Sequence, residues 1–355
     1  MAASRVTWVD NARGIGIILV VYGHVARGLE GASILADSSL YRFVDAAVYS
    51  FHMPLFFFLS GLFFLPGFRR YGGGLFGRKI GVIVYPYLVW SISQLGIKII
   101  LSRYTNSGAD VGELFTIFWL PVEQFWFLYS LFLITTVHIV LTAVSDRLIG
   151  INPKTVLVVL AAALLLFFAR PVLPGVFQIQ TVATYMIYFS LGIWFSEAFH
   201  GSEKWHDRPF LALPVCFLLL CYVVVLKGYY PADSPLMQLA LALTGVGSAI
   251  VLSRFVGGAV ASTCSFLGRY SLEIFCMHII AASGLRIIVQ HFMHISSPLI
   301  HLVLGVVAGL VLPIVFVKVL EKLSLGSLLF SFPFALLRPA TPTTPTTPAT
   351  PANRK

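Results

Sequence analysis

Of 355 residues, 58% are hydrophobic and only 11% are charged, with a mean hydropathy of +0.90. Soluble domains carry about 25% charged residues, so this composition excludes a soluble enzyme and specifies an all-α polytopic membrane protein embedded in a lipid bilayer. The net charge of +10 is spread over short loops, which marks topology and argues against a nucleic-acid partner.

The first apolar span covers about 14–31, and the stretch leading into it, Asp10 to His24, brackets an apolar run between an arginine and a histidine. Arg13 and His24 stand eleven positions apart. At about 100° per residue they share one helix face, about 16 Å apart along the axis. Asp10 lies within about 60° of that face. A helix entering the bilayer at Arg13 carries His24 near or beyond the middle of a hydrocarbon layer about 30 Å thick. An ionisable group at that depth is a functional candidate, because leaving it unpaired in lipid costs several kcal/mol. The competing reading is a histidine hydrogen-bonded inside a helix bundle. A cleaved signal peptide is disfavoured, since Arg13 abuts the apolar run and no A-x-A site follows.

Nine further spans follow near 44–66, 79–101, 124–144, 155–169, 179–198, 209–227, 236–255, 266–290 and 299–320, about ten in all. Pro54, Pro86, Pro214 and Pro313 interrupt them, as neighbouring helices allow in membrane proteins. The segment 111–124, holding Pro121 and Glu123, is too short and mixed for a span and reads as re-entrant or interfacial. One transmembrane domain thus occupies 1–338, and the Pro/Thr/Ala tail 339–355 reads as a disordered appendage. With both termini assigned to the cytoplasm, seventeen of the 24 basic residues fall inside and seven outside (Arg27, Arg42, Lys98, Arg103, Arg170, Lys227 and Arg286). This positive-inside bias orients the chain and makes the dense basic loop Arg69–Lys79 cytoplasmic.

Other polar residues in the spans have two readings each. His52 lies two residues before Pro54, and either orders the kink or takes part in the chemistry. Glu273 and His278 share a span, but five steps turn about 140° net, so they face different neighbours. Trp126, in Trp126-Phe127-Leu128 after Glu123-Gln124, reads as an interfacial anchor. His138, His291, His294 and His301 have no telling spacing. The four cysteines lack metal-ligand spacing and read as core thiols, so no metal site is expected. No phosphate-cradling loop, nucleophile elbow or zinc-binding HExxH is present.

Several of these stretches, taken in order, carry a resemblance. Asp10-x-x-Arg13-Gly with His24, then Phe51-His52-Met53-Pro54-Leu55-Phe56-Phe57-Phe58-Leu59-Ser60-Gly61, then Tyr85-Pro86-Tyr87, Trp126-Phe127-Leu128, and Tyr270-Ser271-Leu272-Glu273 with His278 resemble the membrane-bound acyltransferase family 3. The subgroup most resembled is the fucose 4-O-acetylase-like proteins that O-acetylate sugars. The likeness covers about residues 5–325. It implies acetyl-CoA as a donor substrate approached from the cytoplasm, with no permanently bound cofactor. It also implies a cell-surface or lipid-linked glycan as acceptor, a multi-pass protein of a bacterial inner membrane, and Arg13 and His24 with Asp10 at the centre of the site. His52, Glu123, Trp126, Glu273 and His278 are implied as acceptor-side or structural support. The family's basic pair at the start of the third span is often Arg-x-x-Arg. Here Arg78-Lys79-Ile80-Gly81 keeps only two adjacent cations, and Arg69 or Arg70 is the available substitute.

Elementary chemistry fits that implication. An alcohol is a poor nucleophile at neutral pH, so acyl transfer to a sugar hydroxyl needs a base. A desolvated neutral imidazole at His24 has a ring nitrogen free to accept the proton. Coenzyme A carries several phosphate charges and needs a basic mouth, for which Arg13, Arg78 and Lys79 qualify. The rival class, a transporter or flippase for lipid-linked sugars, also uses mid-depth polar groups but is built from related halves, and no internal repeat is visible. A non-catalytic scaffold gives no reason for Arg13 and His24 together.

Overall fold

The computed structural model describes residues 7–104, 108, 110–198, 211–227, 234–326 and 328–332. Arg5, Lys204, Arg208, Arg338, Arg354, Lys355 and the tail 339–355 lie outside the described residues. Among those described there are helices and turns but no strand. The long elements are α1 (Thr7–Gly31), α2 (Ser39–Leu62), α3 (Tyr85–Ile100), α4 (Trp126–Leu148), α5 (Pro153–Ala169), α6 (Ile179–Ala198), α7 (Leu213–Leu226), α8 (Pro235–Phe255), α9 (Gly258–Arg269), α10 (Ser271–Ile287) and α11 (Pro298–Lys322).

Eight helical stretches among the described residues are long and apolar enough to cross a membrane. Two of the expected spans, 44–66 and 79–101, fall within a single run, Ser39–Ile100. Between α2 and α3 that run passes through a short helix (Phe64–Tyr71), a glycine turn (Gly72–Gly74), a second short helix (Leu75–Lys79) and a π turn (Ile80–Val84). Of the expected span 209–227, residues 209–210 lie outside the described residues; within the rest α7 has 14 residues, a rise of about 21 Å. The expected span 266–290 is divided: α9 ends at Arg269, Tyr270 leaves helical geometry at ψ 17°, and α10 begins at Ser271. The break falls in Gly268-Arg269-Tyr270-Ser271-Leu272-Glu273, whose two charges are averaged out when hydropathy is summed with the apolar runs before and after them.

Local sequence explains several boundaries. Ser38 caps α2 by accepting from the Tyr41 N–H at 3.1 Å. Asn152 and Thr155 form a reciprocal capping box ahead of Pro153, which opens α5. The outward face of α5 exposes Leu157, Val158 and Leu165, as a lipid-facing helix does.

The first helix is the hub. It packs against α2, α8, α9, α10 and α11. Small residues make these approaches possible: a Cβ on Gly14 would strike the Cys264 backbone, and one on Gly268 would strike the Asp10 carbonyl. Such glycine-lined crossings let helix backbones touch where lipid supplies no hydrophobic force. A second crossing joins α2 to α6, where Gly61 meets the Phe189 carbonyl and Gly192 meets the Phe58 carbonyl.

Polar contacts separate the two ends of the bundle. Near the start of α1, Arg69 holds Glu197 through both nitrogens at 2.8 and 2.9 Å. At the other end, Arg27 holds Asp45 at 2.7 and 2.8 Å, and Arg286 donates to the Gly28 carbonyl at 3.1 Å.

Candidate active site

The early turns of α1 carry Asp10 and Arg13. Asp10 is buried, and its carboxylate lies 3.8 Å from the Arg13 guanidinium. Next to it, buried Asn11 donates to the Ser253 carbonyl at 3.0 Å, tying α1 to α8. Arg13 is half-buried, with its guanidinium over the Phe63 ring at 5.3 Å. Lys79 lies within electrostatic reach of Arg13, and exposed Arg78 stacks over Tyr71 at 3.9 Å. Arg13 and Lys79 thus meet near the start of α1, with Arg78 next to Lys79 in the chain. Of the two substitutes for the missing arginine, Arg69 is already occupied by Glu197, whereas Arg70 lies over Tyr71 at 5.1 Å.

Three turns further along, His24 reaches the wall of a cavity of about 420 Å³. The cavity is lined from five regions of the chain: His24, Arg27 and Gly28 of α1; Gln94 and Lys98 of α3; Glu123; His278, Ser283 and Arg286 of α10; and His301 and Gly305 of α11, with aliphatic side chains such as Val25, Leu29, Ile97 and Ile280 between them. Its polar rim is cross-linked. Lys98 meets one Glu123 oxygen at 2.7 Å, and the Gln94 amide donates to the other at 2.7 Å. Gln94 and Gln124 exchange a pair of amide hydrogen bonds at 3.1 and 2.7 Å. This network holds Glu123 at φ 42°, a left-handed conformation that costs a non-glycine residue about 1–2 kcal/mol.

Around His24 the aromatic and imidazole rings form a chain. His278 lies with its ring centre 5.1 Å from that of His24, Tyr49 lies 6.3 Å away, and His52 sits edge-on to Tyr49 at 4.8 Å. The Arg27 guanidinium lies over the Tyr49 ring at 3.2 Å. Among the described residues no hydrogen bond holds the His24 ring. His52 differs: its Nδ1 donates to the Val48 carbonyl at 2.7 Å one turn before Pro54, which suits a residue that orders the kink. His138 is also fully engaged, bonding the Ile134 carbonyl at 2.8 Å and the Ser190 hydroxyl at 2.9 Å.

Of the residues singled out from sequence, the cavity gathers His24, His278 and Glu123. Asp10, Arg13, Arg78 and Lys79 belong to the opposite end of α1. Trp126 packs against Tyr185 and Phe57, at 5.1 and 6.4 Å, and does not line the cavity. Glu273 stands in the first turn of α10 with one carboxylate oxygen buried and unbonded, also away from the cavity. Sequence reasoning missed Arg27, Gln94, Lys98, Arg286 and His301. Arg27 was legible, since three residues beyond His24 it stays within about 60° of the same face. Among the described residues, no three His, Cys, Asp or Glu side chains converge to hold a metal ion.

Residues 6–318 match the family model described as an acyltransferase domain. The chain belongs to the membrane acyltransferase family 3. That assignment makes it a membrane acyltransferase, and it accounts for nearly all of the helical bundle. No curated protein and no solved structure matches the chain. Within this acyltransferase, the cavity beside His24 gathers buried polar atoms with no hydrogen-bond partner among the described residues, on His278 and His301.

Proposed function

We propose that the protein moves an acetyl group from cytoplasmic acetyl-CoA to a hydroxyl of a cell-surface or lipid-linked glycan, with His24 as general base and direct transfer. The observation that carries this reading is the position of His24. It stands on one continuous helix between a cluster of cations and a cavity that mixes polar and aliphatic side chains, and among the described residues no hydrogen bond holds its ring.

The basic end suits the phosphates of coenzyme A, which bind cations through charge-assisted hydrogen bonds. Arg13, Arg78 and Lys79 are the donor-binding residues, and the excess of cations there makes it the cytoplasmic end in an inner membrane. The cavity suits a glycan, because its carboxylate, amide, hydroxyl and cationic groups can bond sugar hydroxyls, while its aliphatic wall, Val25, Leu29, Ile97 and Ile280 among it, suits the apolar face of a sugar ring or a lipid carrier. In the reaction, a ring nitrogen of His24 takes the proton from the glycan hydroxyl as that oxygen attacks the thioester carbonyl. The new C–O bond forms, the C–S bond breaks, and the departing thiolate takes the proton back.

The test uses purified protein in lipid nanodiscs with acetyl-CoA and acceptor glycan, reading release of free coenzyme A. Removal of a general base costs about 10²–10⁴ in rate. His24→Ala and His24→Gln should both lose turnover by that margin while still binding acetyl-CoA, because the cations at the other end remain. Near-normal turnover in His24→Gln would sink the assignment. Radiolabelled acetyl retained on His24 when acceptor is withheld would replace direct transfer with an acyl-histidine route.

A further inference from the structure

We propose that His278 is a positioning residue for His24: its Nε2 accepts the His24 ring N–H and turns the other His24 nitrogen toward the acceptor hydroxyl. The inference rests on the reading of His24 as general base.

Three observations carry it. First, His278 is wholly buried at 0% exposure, yet forms part of the cavity wall beside His24. Second, its Nδ1 lies 2.9 Å from the Phe275 carbonyl oxygen and 3.1 Å from that of Ile274. Carbonyl oxygens only accept, so Nδ1 carries the hydrogen, and in the neutral ring the lone pair resides on Nε2. Third, that Nε2 is buried with no hydrogen-bond partner, a costly state that folded proteins avoid unless the group is used.

What surrounds His278 narrows the candidates for its missing donor. Gly309 of α11 lies against its Cβ, and the Phe275 ring lies 6.2 Å away; neither supplies a side-chain donor. The His24 ring does, with its centre 5.1 Å away and its plane inclined by 54°. An imidazole nitrogen stands about 1.1 Å from its ring centre, so this separation admits a nitrogen–nitrogen approach of about 2.9 Å, hydrogen-bond distance. The rings are not bonded as they stand, and rotation of the unheld His24 ring closes the bond. Catalytic hydrogen bonds commonly tighten only when substrate is present.

The arrangement has the logic of a base held by a third group. Here the third group is an imidazole fixed in one tautomer by two backbone carbonyls, instead of a carboxylate. As His24 gains the hydroxyl proton it becomes imidazolium, and its N–H to His278 strengthens. An interaction that grows toward the transition state raises kcat without changing substrate affinity. His278 exchanges no proton; the one transferred stays on His24 until the thiolate recovers it.

The experiment compares His278→Leu, which removes the acceptor, with His278→Gln, whose amide oxygen reaches the place of Nε2. Rates are measured in nanodiscs, and tautomers of ¹⁵N-labelled histidine are read by NMR. Expected are a 10- to 100-fold fall in kcat for His278→Leu with both KM values within twofold, and recovery to within tenfold of the parent in His278→Gln. The ¹⁵N signals of His24 should change tautomer balance in His278→Leu and keep it in His278→Gln. Full activity in His278→Leu, or a His278→Gln protein that folds and binds acetyl-CoA but is as inactive as His24→Gln, overturns the proposal. The second comparison decides even where His278→Leu fails to insert. An inactive His24→Gln beside an unaffected His278→Leu removes His278 alone, whereas an active His24→Gln removes the base and this inference with it.

Discussion

Glu123→Gln gives the sharpest test of the cavity as acceptor site. The substitution keeps size and one hydrogen-bonding oxygen but removes the charge that Lys98 meets at 2.7 Å. Lys98 is only 15% exposed at its side chain, while Glu123 is 34% exposed, so the pair lies between a surface bridge and a buried one. Surface pairs contribute about 0–1 kcal/mol, and stripping one partner from a buried pair costs about 3–5 kcal/mol. Screening at the exposed carboxylate brings the expectation to about 1–2 kcal/mol, or about 5- to 30-fold in a binding constant. The reciprocal amides of Gln94 and Gln124 keep the rim in shape, so the loss should appear in recognition and not in folding. Steady-state rates against acceptor at saturating acetyl-CoA should show kcat/KM for the acceptor reduced by that factor and donor KM unchanged. Asp37→Asn is the control, since its partner Arg42 and Asp37 itself are both more than half exposed. A shift in donor KM with acceptor kinetics intact would mean that this cavity does not receive the acceptor.

At the other end of α1, replacing Arg78 and Lys79 together by Ala should raise KM for acetyl-CoA about 5- to 100-fold and leave acceptor KM alone. That range follows from two charge-assisted contacts of about 1.5–3 kcal/mol each, reduced by solvent screening. Unchanged donor KM would reduce these cations to a topology signal. Gly192→Ala should lower the thermal unfolding midpoint in detergent, because its Cβ meets the Phe58 carbonyl and overpacking costs about 1–3 kcal/mol. Gly96→Ala, with nothing near the new methyl group, should leave the midpoint unchanged or raise it; equal effects would show that the α2–α6 crossing is not closely packed.

The membrane class and the family were legible because they depend on composition and on short local patterns. Arg13 and His24 were found on one face because helix geometry alone relates them. The cavity was not legible for the opposite reason. His24 and His278 stand far apart in the chain, and Lys98 meets Glu123 only because two helix ends come together. Spacing along one helix correctly separated Glu273 from His278, but it cannot reveal that the neighbour of His278 comes from α1. The break at Tyr270 escaped for a third reason: a window wide enough to find a span averages Arg269 and Glu273, which flank it, with the apolar residues further out.

Because Arg13 and His24 belong to one unbroken helix, their separation is set by backbone hydrogen bonds and not by the packing of independent parts. The first helix is thus a ruler, and no loop motion alters its length. Its tolerance is correspondingly narrow: one inserted residue between the two would lengthen the gap by only about 1.5 Å but swing His24 about 100° around the axis. The ring would then leave both the cavity and His278, while the cations at the start of the helix kept their place. Substitutions within the apolar run are forgiven as long as they fit their neighbours, whereas changes in its length are not.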